Sequence, residues 1–221
     1  MPRVGVILCG CGRFDGSEIH EAVLTLTHLA RAGAEVRCFA PDAPQWAVCD
    51  HFTGEPLPGP ARNMLQESAR IARGAVEPLE RARAGELDAL VLPGGSGAAR
   101  NLCDFAERGA RARVLPELEA LLRALHEARK PIGAICIAPA IVALVLGGEG
   151  VSLTLGATDS KAAREAAATG ARMLPCAVDA IVADEEHRVV STPAYVLAQN
   201  PAEVDTGIGA LVRRVLAWCG A

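Results

Sequence analysis

Residues 130–139 read KPIGAICIAP, and this stretch decides the fold. Residues 131–135 form an apolar run of strand length, and Pro139 fits the first turn of a helix. Cys136 is therefore predicted to stand at a tight turn from strand to helix. Residues 88–92 form another apolar run that stops at the glycine-rich segment PGGSG, a pattern typical of a strand that ends in a loop.

Outward from this stretch, predicted strands and helices alternate. Strands are predicted at residues 3–8, 35–40, 88–92, 131–135, 153–155, 180–183 and 189–191. Helices are predicted at residues 17–32, 63–73, 78–84, 115–129, from about 138, and at 206–219. Asp15, followed three residues later by Glu18, resembles a capping box for the first of these helices. The alternation predicts an α/β fold, a mostly parallel sheet with helices on both faces, built as a single domain over residues 1–221.

The composition favours the same class. The chain has 221 residues, of which 51% are hydrophobic and 3% aromatic, so its core is built from Ala, Val, Leu and Ile, as in buried parallel sheets. The net charge is −4 and no long run of like charge occurs, which argues against nucleic acid and membrane partners. Prolines and glycines interrupt the uncharged residues 131–148, so we predict no membrane span. Eight scattered cysteines without a signal peptide pattern predict a cytoplasmic protein with reduced thiols.

Three segments at predicted strand ends contain chemically active groups, namely residues 9–21, residues 93–97 and Cys136. Because the carboxyl ends of parallel strands meet at one edge of a sheet, these segments are predicted to converge. A cysteine at the start of a helix faces free N–H groups, which predicts a lowered thiol pKa and a thiolate nucleophile. The amides of Gly94, Gly95 and Ile137 are candidates for an oxyanion hole.

The first predicted helix supplies candidate proton carriers. Glu18 and Glu21 lie three residues apart with His20 between them, and either carboxyl could exchange a proton with the sulfur. Cys11 and His20 are candidate pocket residues. Purely structural interpretations stay open, since Cys136 could be a core thiol and both glutamates could simply interact with the helix dipole. The spacing of Cys and His matches no metal site, and no Cys-His-Glu triad is visible, so neither a metal nor a cofactor is predicted.

Long segments of the chain resemble the ElbB family, also described as isoprenoid biosynthesis or glyoxalase III-like proteins, within the PfpI-like, class I glutamine amidotransferase-like superfamily. The segments are GCGRFDGSEIHEAV (10–23), RNMLQESARIARG (62–74), DALVLPGGSGAARNL (88–102), KPIGAICIAP (130–139) and STPAYVLA (191–198). The resemblance implies a flavodoxin-like three-layer sandwich, Cys136 as the nucleophile at the elbow, and a homodimer. It also implies a glutamate partner on the first helix, matched by Glu21, with Glu18 as the alternative.

This sequence departs from the superfamily pattern at two places. Ala138 stands where many of these elbows have glycine, and LGATDSK stands where relatives carry a histidine. The missing histidine disfavours glutaminase and protease chemistry. The leading hypothesis is therefore a cofactor-free glyoxalase that converts a small α-oxoaldehyde to a hydroxy acid. Two alternatives stay open: a non-catalytic thiol redox sensor or accessory protein of isoprenoid metabolism, and an amidase or amidotransferase subunit.

Overall fold

The computed structural model of the protein describes residues 1–220. The strands are β1 (Arg3–Ile7), β2 (Glu35–Ala40), β3 (Val76–Pro78), β4 (Ala89–Leu92), β5 (Ile132–Ile135), β6 (Ser152–Leu153), β7 (Arg172–Met173), β8 (Val182–Asp184) and β9 (Val189–Thr192). The α-helices are α1 (Ile19–Arg31), α2 (Met64–Ile71), α3 (Ala98–Asn101), α4 (Phe105–Arg108), α5 (Pro116–Glu127), α6 (Ala138–Leu146), α7 (Lys161–Ala167) and α8 (Pro201–Trp218). Short 3₁₀ turns connect several of these elements.

Seven strands form one central sheet in the order β3-β2-β1-β4-β5-β9-β8. All neighbouring strands run parallel except β8, which is antiparallel to β9. Strands β6 and β7 form a separate two-stranded sheet. The predicted α/β class with a mostly parallel, flavodoxin-like sheet is confirmed. The single-domain organisation stays a prediction.

Helices cover both faces of the sheet because the central strands are apolar on both sides. One core contains Leu118 and Leu122 of α5 together with Ile141 of α6. The opposite core contains Leu29 of α1 and Ile208 of α8. Strands β4 and β5 are buried throughout, as expected for strands enclosed by two helical layers.

Some element boundaries differ from those predicted. Residues 78–84, predicted as a helix, begin at the end of β3 and continue into the 3₁₀ turn Leu79–Arg81. Helix α8 begins at Pro201, before the predicted residue 206, because the Asn200 side chain accepts the Ala202 and Glu203 amides and caps it. The sequence patterns missed α3, α4, α7, β3 and β7, which are too short to show a clear hydrophobic period.

The predicted capping box of Asp15 and Glu18 is wrong. Glu18 is itself the cap of α1, and its side chain accepts the Glu21 amide at 2.7 Å. The Asp15 carboxylate is buried elsewhere, where it accepts the Cys49 amide at 2.8 Å. Helix α1 therefore begins at Ile19, two residues later than predicted, and this shift determines which glutamate faces the core.

Both edges of the central sheet are short. Strand β3 ends in Pro78, which has no N–H to offer to a further strand. At the other edge, the Asp184 carboxylate of β8 accepts the Ser152 amide of β6 at 2.7 Å, so β6 packs beside this edge. Within residues 1–220, none of the helices has the length and apolar character needed to span a membrane.

Candidate active site

Cys136 occupies the turn between β5 and α6, as the sequence predicts. Its φ is +60°, in the left-handed region that residues with a side chain rarely adopt. The Cys136 amide donates to the Thr192 carbonyl at 3.0 Å, which ties this strained turn to the end of β9. Such strain persists only where the surrounding structure holds it, and it is often found at functional sites.

The Glu21 side chain is fully buried at the start of α1 and meets two other chain segments. Its Oε2 accepts the Gly94 amide at 3.0 Å, and its Oε1 accepts the Tyr195 amide at 3.2 Å. The Cys136 thiol lies beside the same carboxyl, close enough for each group to affect the pKa of the other. The structure therefore brings together the ends of β4, β5 and β9 around one carboxyl and one sulfur.

Gly94 makes this close approach possible. A β-carbon added there would lie 2.5 Å from the Cys136 Cβ, 2.8 Å from the Ile135 carbonyl and 2.8 Å from Glu21 Oε2. Gly95 has a φ of +106°, and a β-carbon added there would lie 2.6 Å from the Glu18 amide nitrogen. The loop after β4 therefore needs glycine at both positions.

Burial controls the protonation of the pair. Burial and, to a smaller extent, the charge of Glu18 raise the pKa of Glu21 from 4.5 to about 8, against the lowering effect of the Tyr195 and Gly94 amides. Burial, followed by the charge of Glu21, raises the pKa of Cys136 well above 9.0. At neutral pH the pair is therefore mostly protonated, and a minor fraction of Glu21 is carboxylate.

The predicted lowering of the Cys136 pKa is thus wrong. The amides of Gly95 and Ile137 do face the sulfur and lower its pKa, but burial outweighs them. The sequence indicates a helix start but does not indicate how completely the surrounding protein removes water from the sulfur. Cys136 nevertheless retains partial exposure, through which a ligand can reach it.

Two cavities meet at Cys136. The larger, of about 620 Å³, extends along α3, α4 and α7, and the smaller, of about 470 Å³, extends along the start of α1. Ser96, Cys136 and Tyr195 line both cavities. A small substrate can therefore approach the sulfur from either side.

The other predicted site residues lie at different distances from this centre. Glu18 caps α1 and lines the smaller cavity, where His20 is also found. Cys11 is half-buried, with Glu67 and Arg70 nearby. It is not among the residues of the range 1–220 that line either cavity. The structure thus brings Glu21 to the sulfur, places Glu18 and His20 at the cavity, and leaves Cys11 outside it.

Tyr195 is a site residue to which the sequence reasoning gave no role. Its amide holds Glu21, and its hydroxyl lies 2.6 Å from His20 Nδ1. Tyr195 follows the carboxyl end of β9, so the same strand-end argument that selected Cys136 could have found it. The sequence predicts this strand at residues 189–191, but no site was assigned to its end.

Residues 41–62, for which the sequence suggested no role, brace the loop before α1. The Trp46 indole donates to the Phe14 carbonyl at 3.2 Å, and the Trp46 amide donates to Asn101 Oδ1 at 2.9 Å. The Cys49 amide binds the buried Asp15, as described above. This segment therefore supports the glycine-rich loop that leads into Glu18 and Glu21.

Most of the histidines lie away from the two cavities that meet at Cys136. Four of the five histidines bind outside the two cavities: His28 contacts Asp205, His51 lies near Asp15, His126 contacts Glu149 and His187 contacts Asp184. Among residues 1–220, no group of three or more His, Cys, Asp or Glu is arranged to hold a metal ion.

The fold and the site define a class, an α/β protein with a cysteine at a strand-to-helix elbow beside a buried glutamate. No protein-family model matches the chain. It is 44% identical over 226 residues to the Homo sapiens protein glutamine amidotransferase-like class 1 domain-containing protein 3, mitochondrial, covering 99% of this chain and 84% of that protein. It is 43% identical over 226 residues to the Rattus norvegicus ES1 protein homolog, mitochondrial, with the same coverage. The chain belongs to this family of ES1 and glutamine amidotransferase-like class 1 domain proteins.

Solved structures support the same assignment. A crystal structure of an isoprenoid biosynthesis protein with an amidotransferase-like domain from Ehrlichia chaffeensis superposes with a TM-score of 0.91 at 37% identity, covering 99% of both chains. Drosophila melanogaster DJ-1beta superposes with a TM-score of 0.56 at 17% identity, covering 99% of this chain and 96% of that one, which shows the shared fold alone.

The predicted cytoplasmic location is contradicted, because the curated relatives are named as mitochondrial proteins.

Proposed function

We propose that the protein is a cofactor-independent glyoxalase that converts glyoxal or a similar small α-oxoaldehyde to a hydroxy acid. The observation that carries this proposal is the close approach of Cys136 to the buried Glu21 carboxyl at the junction of two open cavities. In this proposal, Cys136 is the nucleophile and Glu21 the proton carrier, and both act on the same small substrate.

The first step joins the sulfur to the aldehyde. Glu21, as carboxylate, takes the Cys136 proton while the sulfur forms a bond to one aldehyde carbon, and the proton then passes to the aldehyde oxygen. The product is a hemithioacetal. The Gly95 and Ile137 amides, which face the sulfur, are suitable donors to the oxygen while it is negatively charged.

The second step moves hydrogen between the two substrate carbons. Glu21 removes the proton from the carbon that carries sulfur and returns it to the neighbouring carbon, through an enediol. One carbon is oxidised to a thioester and the other is reduced to an alcohol, so no external oxidant is needed. Water then attacks the thioester, the C–S bond breaks, and the sulfur leaves as thiol when it regains a proton. With glyoxal the product is glycolate.

The raised pKa of Glu21 suits this role. A group that must both accept and donate a proton works best when its pKa lies near the working pH, and burial together with the charge of Glu18 brings the pKa of Glu21 to about 8. An exposed glutamate would hold a proton too weakly to return it. The amides of Gly94 and Tyr195 fix the carboxyl in place, so proton transfer needs little rearrangement.

Glycolate formation from glyoxal without glutathione tests the proposal. The wild type is expected to produce glycolate, and Cys136→Ser is expected to lose at least about 100-fold in rate, because an alcohol is far less ionised than a thiol. Cys219→Ser is the matched control, since that thiol lies at the end of α8 and lines neither cavity formed by residues 1–220. Equal rates from the wild type and Cys136→Ser would reject the proposal.

A second candidate is an amidase or ammonia-supplying amidotransferase subunit, favoured by the amidotransferase-like names of the relatives. Amide hydrolysis requires an acid that protonates the departing nitrogen, usually a histidine beside the cysteine. His20 lines the smaller cavity together with Cys136, but its ring is hydrogen-bonded to the Tyr195 hydroxyl. Ammonia release from glutamine that disappears in Cys136→Ser would favour this candidate.

Membership of the ElbB family and assembly as a homodimer also stay proposals. Analytical ultracentrifugation tests the homodimer.

A further inference from the structure

The larger cavity has a net positive lining, although the whole chain carries a net charge of −4. Its charged residues are the cations Arg100, Arg108, Arg111 and Lys161 and the carboxylates Glu107 and Glu165. The smaller cavity, by contrast, has one arginine, Arg13, and one carboxylate, Glu18. The positive charge is therefore concentrated on one approach to Cys136.

Most of these charged groups already have partners. Arg100 binds Glu107 at 2.5 Å and Arg108 binds Asp104 at 3.3 Å. Glu165 accepts the Ala110 amide at 2.8 Å. Three of the cavity's charges, together with Glu107, are thus engaged by protein groups.

Arg111 and Lys161 are different. Within residues 1–220, neither side chain makes a hydrogen bond or an ion pair with another protein group. Glu165 lies one turn along α7 from Lys161 and would be its natural partner, but it is held by Ala110 instead. Both cations are exposed at the rim of the cavity that holds the sulfur.

The two residues belong to elements that pack together. Lys161 begins α7, and Arg111 ends the 3₁₀ turn Gly109–Arg111, against which α7 lies. The absence of a side chain at Gly109 permits this contact, because a β-carbon there would collide with Glu165. This packing fixes the two elements that bring Lys161 and Arg111 to the lining of the cavity.

We infer that the substrate carries a negatively charged group at the end remote from its aldehyde, and that Lys161 and Arg111 bind this group. The substrate class is an α-oxoaldehyde with an anionic tail, so glyoxal is a minimal substrate that lacks the tail. As a statement about turnover, this inference rests on the proposed glyoxalase function. As a statement about binding, it concerns only the charge near Cys136.

Alkylation of Cys136 tests the charge without any turnover. Iodoacetate is anionic and iodoacetamide is its neutral analogue, so the ratio of their rates at one thiol reports the local potential and cancels the thiolate fraction. The double variant Arg111→Gln/Lys161→Gln is expected to lower the ratio of the iodoacetate rate to the iodoacetamide rate at Cys136 by roughly 3- to 10-fold, the effect of removing two exposed charge interactions. The ratio at Cys176, measured by mass spectrometry in the same samples, is expected to stay unchanged.

The matched control is Arg31→Gln/Arg73→Gln, which removes the same charge from exposed residues outside both cavities. It is expected to leave the Cys136 ratio at the wild-type value. A ratio that does not fall in the cavity variant, or that falls equally in the control, overturns the inference.

Kinetics with two aldehydes separates this inference from the proposed function. The cavity variant is expected to raise the KM for 4,5-dioxopentanoate, an anionic α-oxoaldehyde, by roughly 3- to 10-fold and to leave the kcat/KM for glyoxal within about 2-fold. Turnover of both aldehydes with an unchanged alkylation ratio overturns the anion site and keeps the glyoxalase. A fallen ratio with no turnover of either aldehyde overturns the glyoxalase and keeps the anion site.

Discussion

Glu21 Oε2 accepts the Gly94 amide at 3.0 Å, and a β-carbon on that same glycine would lie 2.8 Å from the same oxygen. The residue that orients the carboxyl is therefore also the residue whose missing side chain makes room for it. Gly94 lies in the loop after β4 and Glu21 lies in α1, so the geometry of the site depends on the packing of α1 against the end of β4. Substitutions at either residue are therefore expected to lower activity while the protein stays folded.

Gly94→Ala is expected to abolish activity. The added carbon would collide with the Cys136 Cβ and the Ile135 carbonyl, both parts of a rigid elbow. A displacement of about 1 Å at a reacting group can cost roughly 100-fold in rate. Glycolate formation checks this, with Gly148→Ala as the control, since its added carbon would meet nothing within 4 Å. Normal activity in Gly94→Ala would contradict the site geometry.

Glu21→Gln is expected to lower kcat by roughly 10²- to 10⁴-fold, the usual contribution of a positioned proton carrier. The amide cannot carry the proton, and its NH₂ group must also face one of the two amides that now bind the carboxyl oxygens. Circular dichroism would establish that the variant is folded. Retention of more than about half the wild-type kcat would show that Glu21 does not move the proton.

Glu18→Gln is expected to shift the pH dependence. Activity should rise with pH around a midpoint near 8, because the active form needs Glu21 as carboxylate. The negative charge of Glu18 contributes to the raised pKa of Glu21, so its removal should move the midpoint to lower pH. A pH–rate profile measures this, and a midpoint that stays in place or rises would be the contrary result.

Glu21 should also make folding stability depend on pH. The carboxyl loses its proton near pH 4.5 when exposed in the unfolded chain and near pH 8 when folded. Between these values the folded state binds more protons, so the free energy of unfolding falls as pH rises through this window, by a few kcal/mol. Urea denaturation across the window should show this decline in the wild type and a weaker one in Glu21→Gln. Parallel curves would argue against a raised pKa.

The sequence predicts much of this architecture because its apolar runs and helix periods are long where the core is deep. It also places Cys136, Gly94 and Gly95 at one edge, since that argument needs only parallel strands. The choice between Glu18 and Glu21 depends on where α1 begins. Glu18 is extended, with φ of −64° and ψ of 125°, and this single departure from helical geometry turns Glu21 inward.

Other features depend on contacts between distant parts of the chain. Tyr195 approaches Glu21 from 174 residues away, and no local pattern encodes that meeting. The pKa of Cys136 reflects how many neighbours exclude water from the sulfur, which a sequence does not show. The elements missed at α7 and β7 have seven and two residues, shorter than the windows in which periodicity becomes visible.

The proline at the end of β3 and the reversed direction of β8 have a bearing on how the protein associates. A sheet grows from copy to copy when an outer strand presents an uninterrupted row of backbone donors and acceptors. Here one edge strand has three residues, the last of which is a proline, and the other has three residues and lies beside β6. Recruitment of a foreign strand is therefore disfavoured, and any assembly of these molecules is expected to form through side chains on helices and loops.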